Sequence, residues 1–244
     1  MALPKLNTPT YELEVPSTDE KIQYRPFLVK EEKLLMIAME SNEQKQIIQA
    51  VKDIVSACTF DKLDIDNMPM FDVEYVFLQI RAKSVGEVSK IKILCPDDKK
   101  TYTNVEIDLN EDKVQVEDGH TNKIELTKDM GLIMTYPTFK SMEEIGGKAI
   151  NPGNMLEVIG SCILQIYEDK GEKVYDAKDQ TRKELTEFIE QLNSSQFSEV
   201  RKFFDTMPKL KHDVKVKNPK TKKESKVTLT GLNDFFGSPF HMIV

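Results

Sequence analysis

The sequence contains no tryptophan and only three cysteines, and none of its apolar runs is long. Cys58, Cys95 and Cys162 are odd in number and widely spaced, so they form no disulfide framework, which agrees with a reducing compartment. No apolar run approaches the roughly 20 residues that cross a bilayer, and the first residues lack the apolar core of a secretory signal. We therefore expect a protein made and kept in a cytoplasm, without membrane contact.

The chain also lacks the short motifs that mark catalytic sites. It has no glycine loop of either standard phosphate-binding form. Its three histidines, His120, His212 and His241, lie in turn-like or terminal segments without a paired serine or cysteine, so we expect each to be a surface residue. The 41 acidic residues are scattered and suggest no acid–base pair. These observations predict no enzymatic activity and no cofactor.

The net charge of −7 argues against nucleic acid as the main ligand. One segment, residues 209–226, is nevertheless basic and carries eight lysines, but it has neither the arginines nor the stacking aromatics of a nucleic-acid reader. It is either a solvated hairpin or a docking surface for an acidic partner protein. Five of these eight lysines define what we call the basic patch: Lys215, Lys217, Lys220, Lys222 and Lys223.

Hydrophobic periodicity predicts an α+β fold with a helical core, an N-terminal β-hairpin and an antiparallel, zinc-ribbon-like β region. Alternating Tyr11, Leu13 and Val15 predict the first strand of the hairpin. The expected segments are 1–90 (hairpin and three helices), 91–136 (β region), 137–208 (helical) and 209–244 (a returning hairpin and a short helix from Gly231 to Phe236). Together they are expected to form one interleaved globular unit.

Several helices have sequence signals at their ends. Glu31 and Glu32 open a helix whose unbroken apolar run, residues 34–39, predicts a central core element covered on most sides. Ser41 with Gln44, and Thr181 with Glu184, have the form of capping boxes. The first should begin a helix with the buried stripe Ile47, Ile48, Val51, Ile54, Val55 and Cys58, and a third helix is expected from about residue 72 to 88.

Two further signals concern the middle of the chain. Asp118-Gly119 predicts a hairpin that joins Val114 and Val116 to Ile124 and Leu126. Asn151-Pro152 predicts the start of a helix whose stripe continues through Cys162 to Ile166. Residues 127–150 give mixed signals and receive no assignment.

Two turns in the sequence resemble each other. Ile91 to Lys100 and Val214 to Lys223 each read as a strand, an X-Pro-X-X turn and a Lys-Lys pair. Two such hairpins have the form of a zinc ribbon, but the positions corresponding to zinc ligands are Cys95, Asp98, Asn218 and Thr221, which include only one thiol. We therefore expect a ribbon without metal, in which residues 91–109 and 214–230 pair into one sheet.

Two stretches resemble a known family. Tyr24 to Leu35 (Tyr-Arg-Pro-Phe-Leu-Val-Lys-Glu-Glu-Lys-Leu-Leu) and the end of the chain from Leu229 to Phe240 (Leu-Thr-Gly-Leu-Asn-Asp-Phe-Phe-Gly-Ser-Pro-Phe) resemble the baseplate hub proteins of T4-type contractile-tailed bacteriophages. The resemblance marks as motif or interface residues Tyr24, Arg25, Pro26, Phe27, Lys30, Glu31, Phe235, Phe236 and Phe240.

The resemblance implies a viral structural or assembly protein that acts through protein–protein contacts. Its implied partners are other hub proteins and the tape-measure protein, and its implied location is the host cytoplasm during assembly or the tail baseplate of the virion. The sequence leaves open whether it is a subunit that remains in the particle or a chaperone or catalyst of hub assembly that leaves. A third reading, a nucleic-acid-binding ribbon protein, is weakened by the single knuckle cysteine.

Overall fold

A computed structural model describes residues 7–41, 43–109, 113–144 and 153–231. It combines helices with antiparallel strands, so the predicted α+β class is confirmed. Two short 3₁₀ turns, Asp169–Gly171 and Ala177–Asp179, accompany the main elements. In chain order, these elements are β1 (Tyr11–Glu14), β2 (Lys21–Tyr24), α1 (Val29–Ser41), α2 (Gln44–Cys58), α3 (Met70–Val85), β3 (Val88–Leu94), β4 (Tyr102–Asp108), β5 (Lys113–Gln115), β6 (Lys123–Glu125), β7 (Gly131–Met134), α4 (Phe139–Glu144), α5 (Met155–Ser161), β8 (Ile163–Glu168), β9 (Lys173–Asp176), α6 (Arg182–Glu190), α7 (Ser194–Thr206), β10 (Lys209–Lys217) and β11 (Glu224–Thr230).

The chain divides into two units. Unit 1 consists of Met1–Val114 and Lys209–Val244, and unit 2 is the continuous segment Gln115–Pro208. Unit 2 thus enters the sequence between β5 and β10, which are neighbouring strands of one sheet.

The N-terminal hairpin of unit 1 forms as predicted. Leu13 of β1 stands opposite Ile22 of β2, and both are buried, while the alternating Glu12 and Glu14 are exposed. A buried carboxyl group ties the turn of this hairpin to α3, because Asp72 accepts hydrogen bonds from the backbone and the hydroxyl group of Ser17.

Helix α1 is not the covered central helix that its apolar run predicted. Its fully buried residues are Glu31 and Ala38, whereas Met36 and Ile37 are 57% and 52% exposed. Successive helical residues are turned by about 100°, so an unbroken apolar run faces every direction, and α1 packs along one side, against α2. The prediction of a central helix was therefore wrong.

Helices α2 and α3 form the helical part of the core of unit 1. The predicted stripe of α2 is confirmed, since all six of its residues are buried, and Val73, Val76, Phe77 and Ile80 of α3 are fully enclosed. The predicted capping box at Ser41 is wrong, because α1 continues through Ser41 and its hydroxyl group donates back to the Ala38 carbonyl, 2.7 Å away. Glu43 is the N-cap of α2 and provides no side-chain cap.

The two hairpins with similar turns lie in separate sheets, so the prediction that they pair into one sheet was wrong. β3 pairs with β4 in a two-stranded sheet, and β10 lies between β11 and β5 in another. Both edges of β10 are therefore occupied, and neither is left for β3 or β4.

The predicted hairpin around Asp118-Gly119 is also wrong. Residues 117–120 do form a turn, but β5 on one side of it pairs with β10, and β6 on the other pairs with β7.

Unit 2 is built on the four-stranded antiparallel sheet β6-β7-β8-β9. Helix α6 packs on α5, and α7 packs on β6. The core between sheet and helices is apolar and consists of Ile124, Leu126, Leu132, Met134, Ile159, Cys162, Ile163, Ile166, Leu185, Ile189, Val200 and Phe203.

The helix predicted after Asn151-Pro152 is shorter than expected. It ends at Ser161, and residues 163–168 form β8 instead, because pairing with β7 and β9 overrides the local helical pattern. Its predicted cap, Asn151-Pro152, and the predicted last helix after Gly231 lie outside the described residues. No helix in the described ranges has both the length and the apolar character needed to cross a bilayer.

Candidate functional site

The motif segment that begins at Tyr24 is held by a buried ion pair. Arg25 leaves β2 and donates from Nη2 to Oε1 of Glu31, in the first turn of α1, at 2.8 Å. The other carboxylate oxygen of Glu31 accepts from the backbone N–H of Leu28 at 2.8 Å, so the same side chain also caps the helix. Burial alone raises the pKa of Glu31, but the hydrogen bonds from Arg25 and Leu28 outweigh burial and hold that pKa below its usual value.

The remaining motif residues flank the ion pair along the chain. Tyr24 is buried, and burial raises its pKa to about 12. The N–H of Phe27 donates to Oγ of Ser84 at 2.9 Å, and the Pro26 carbonyl accepts from Arg25 at 3.0 Å. Lys30 is exposed and lies 3.3 Å from Glu31. Most of the motif residues therefore fix how the chain passes from β2 into α1. The groups left to contact a partner are Lys30 and the exposed face of α1.

The two turns that look alike in sequence also have the same backbone conformation. Lys99 N donates to Cys95 O at 3.0 Å, and Lys222 N donates to Asn218 O at 2.9 Å. Lys99 and Lys222 also share a positive φ, at 51° and 63°. The sequence similarity thus corresponds to a repeated local structure.

A single carboxylate joins the two turns. Asp97 of the first turn accepts from Asn218 Nδ2 at 2.9 Å through Oδ1 and from Thr221 Oγ1 at 2.5 Å through Oδ2. These two bonds hold the pKa of Asp97 below its usual value. Asp98 accepts mainly within its own turn, from the backbone N–H groups of Lys100 and Thr101, and its interaction with Asn218 is the weakest that it makes. We call the Asp97 bonds the clasp.

The clasp uses two of the four positions that would hold the ligands of a zinc ribbon. Of the four positions predicted from the sequence, Asn218 and Thr221 donate to Asp97, Asp98 caps its own turn, and Cys95 is buried. Burial and the neighbouring carboxylates raise the pKa of Cys95, which disfavours the thiolate that binds metal. Among the described residues, no three His, Cys, Asp or Glu side chains form a group that could hold a metal ion.

The clasp places two lysine-bearing turns side by side. Lys99 and Lys100 follow the first turn, and Lys220, Lys222 and Lys223 occupy the second; all five are exposed. Within the basic patch, Lys217 is paired with Glu224 at 3.3 Å, whereas the described residues offer Lys215 no ion pair. Phe235, Phe236 and Phe240, the remaining predicted interface residues, lie outside the described residues.

Sequence reasoning missed a hydrogen-bonded histidine in unit 2. His120, expected at the surface, is half-buried; its ring stacks on Tyr136 and lies tilted against Phe203. Thr206 donates its hydroxyl proton to the Lys202 carbonyl, so His120 Nδ1–H must donate to Thr206 Oγ1, and Nε2 accepts from the Tyr136 hydroxyl group, each at 3.0 Å. Burial lowers the pKa of His120, which favours this neutral form.

That arrangement gives His120 a structural role. With Nδ1 as the donor, the contact between His120 and Thr206 is a hydrogen bond that holds the loop before β6 against the end of α7. A cleft of about 350 Å³ lies beside it, lined by Lys123, Glu125, Glu199 and Lys202 among others. Nothing local in the sequence links His120 to Thr206, which follows 86 residues later.

Comparison with known proteins identifies the family. A family model described as T4 bacteriophage base plate protein matches residues 8–237, which includes both stretches of resemblance apart from the last few residues of the second. The comparisons with curated proteins and with solved structures found no significant match. Since the match spans almost the whole chain, this protein belongs to the T4 bacteriophage base plate protein family.

Proposed function

We propose that the protein is a component of the baseplate hub that acts in tail assembly through protein–protein contacts, without catalysis. The family match over residues 8–237 is the observation that carries the baseplate role. The hub role rests on the resemblance of Tyr24–Leu35 and Leu229–Phe240 to hub proteins. The partners are then other hub proteins and the tape-measure protein, and the work takes place in the host cytoplasm before the tail is complete.

We call the two turns that the clasp joins the clasped turns. Their positive charge makes them the favoured contact surface for a partner protein. The chain carries a net charge of −7, yet these turns present five exposed lysines beside one another. A local field of sign opposite to the rest of the surface orients and accelerates the approach of an acidic partner. We propose that the clasped turns dock onto an acidic surface of another baseplate protein.

Quantitative mass spectrometry of purified virions and of infected-cell lysate tests the hub role. A hub component should be found in the particle at a few copies per tail, in constant ratio to other baseplate proteins. Abundance in lysate with none in virions would contradict a hub component and establish the second candidate, an assembly factor that leaves. Normal tails formed without the gene would overturn both.

Charge reversal tests the docking surface. The variant Lys220→Glu/Lys223→Glu should lower the yield of assembled baseplates, because two exposed cations of the clasped turns change sign. Lys128→Glu/Lys140→Glu, which changes the net charge equally on exposed lysines of unit 2, is the matched control. Equal loss in both variants would show that total charge, and not the clasped turns, matters.

A further inference from the structure

Helix α1 presents an apolar stripe to solvent. Met36 and Ile37 are 57% and 52% exposed and point away from the side on which Glu31 and Ala38 are buried. Residues three and four apart share a helix face, so Lys33, Met36, Ile37 and Glu40 form one continuous stripe. Val29, which is 80% exposed, extends it by one turn toward the N-terminus of the helix.

The charges of this stripe are arranged symmetrically. Lys33 lies three residues before Met36, and Glu40 lies three residues after Ile37. Both charged side chains are exposed, and the described residues supply neither with an ion pair. The stripe therefore reads cation–apolar–apolar–anion, with its midpoint between Met36 and Ile37.

We propose that this stripe binds a second copy of the chain, with the two α1 helices antiparallel and a two-fold axis passing between Met36 and Ile37. Such a pairing places Met36 of one copy beside Ile37 of the other. It also places each Lys33 opposite Glu40 of the other copy, once on each side of the axis. An interface of this kind is isologous and closed, which is the commonest symmetry of soluble homo-oligomers.

Charge complementarity selects this occupant and this orientation. A parallel pairing would bring Lys33 against Lys33 and Glu40 against Glu40, which repel, while the antiparallel pairing turns both contacts into attractions. One helix pair buries less than the roughly 1,200–2,000 Å² of a standard stable interface, so the dimer is weak and forms at high protein concentration. The inference does not depend on the hub role, because it concerns the purified chain alone.

Sedimentation velocity of the full chain, from about 5 to 500 µM, tests the pairing. The unmodified protein should shift from monomer to dimer across this range. Lys33→Glu alone and Glu40→Lys alone should each weaken association at least tenfold, because both cross-axis pairs become like-charged. Lys45→Glu, an exposed change on α2 outside the stripe, should leave association unchanged.

An equimolar mixture of the two single variants provides the sharpest result. In their heterodimer, the carboxylate introduced at position 33 of one copy faces the ammonium group introduced at position 40 of the other, and the two native partners face each other as well. The mixture should therefore associate as tightly as the unmodified chain, while each variant alone does not. Circular dichroism melts check that the variants are folded. A monomer at every concentration, a dimer insensitive to both reversals, or a mixture that stays monomeric would each overturn the proposal.

Discussion

Asp72 is a carboxyl group in the first turn of α3 with no exposed surface, and its two hydrogen bonds come from the Ser17 backbone and hydroxyl group. Burial raises its pKa to about 6, although these bonds act in the opposite direction. Between about pH 4 and pH 6, the native state therefore holds a proton on Asp72 that the unfolded chain has released. The contribution of this group to the free energy of unfolding is consequently greatest at low pH and declines as pH rises from about 4 to about 6.

Asp72→Asn should remove that decline, because the amide keeps an acceptor for Ser17 and does not ionise. Relative to the unmodified protein, we expect the variant to gain about 1–2 kcal/mol between pH 4 and pH 7. Urea denaturation at a series of pH values measures the difference. Asp129→Asn, an exposed change, is the control and should follow the unmodified curve. Parallel curves for Asp72→Asn and the unmodified protein would contradict the assignment.

Two glycines in unit 2 should respond oppositely to the same substitution. A methyl group at Gly131 would clash with the Tyr167 side chain and with the Ile124 carbonyl, which belongs to the neighbouring strand and cannot move alone. At Gly160, inside α5, the nearest atoms would be 3.6 Å away, an ordinary contact. We expect Gly131→Ala to destabilise by about 2–3 kcal/mol and Gly160→Ala to stabilise by up to about 1 kcal/mol. Thermal melts of both variants decide this, and equal shifts would refute the packing described for β6, β7 and β8.

At the scale of elements, the sequence predicts what neighbouring residues determine. The stripe of α2 and the capping box of α6, where Thr181 and Glu184 exchange hydrogen bonds, depend on residues within a few positions of one another. The exposure of α1 and the pairing of β5 with β10 depend on partners far away along the chain, and both were predicted wrongly. Local patterns state which face is apolar, but not whether another element covers it.

The clasp shows the same limit at the candidate site. The similar turns, and Asn218 and Thr221 within them, could be found from the X-Pro-X-X pattern alone. Asp97 bridges the two turns, but the zinc-ribbon pattern pointed to its neighbour, Asp98. Asp97 is also 121 residues away from Asn218 along the chain. Side chains that share one carboxylate need no fixed spacing along the sequence. The bridging role of Asp97 could therefore be found only from the structure.

Asp97→Ala should separate the two turns without unfolding the hairpins. The variant loses both bonds that cross between the turns, while the strand pairing of β3 with β4 and of β10 with β11 remains. Hydrogen exchange should accelerate at the Lys222 N–H, which bonds within the second turn.

Because the pKa of Asp97 is lowered in the folded state, the same acceleration should appear in the unmodified protein as its carboxylate is protonated on acidification. Asp98→Ala is the control, because its main hydrogen bonds come from the backbone of Lys100 and Thr101. Exchange should accelerate most at those two residues. Acceleration at the Lys222 N–H as large as in Asp97→Ala would contradict the division of roles.

At the scale of the whole molecule, the order of the units along the chain suggests an insertion. Unit 2 is one continuous segment, Gln115–Pro208, and it interrupts unit 1 between two strands that are neighbours in a sheet. Insertions of this kind are tolerated where the ends of the host chain lie close together, as adjacent strands ensure. The inserted segment contains its own sheet, its own helices and a continuous apolar core.

A fragment of residues 115–208 should therefore fold alone, because every side chain of its core lies within it. We expect a cooperative thermal transition, dispersed amide resonances and a free energy of unfolding of a few kcal/mol, in the lower part of the usual range for domains. Residues 70–163, a segment of equal length that crosses the boundary, should stay unfolded, since it lacks α6, α7 and β10, against which its strands and helices pack. A broad, non-cooperative transition for 115–208 would mean that unit 2 needs unit 1 for stability.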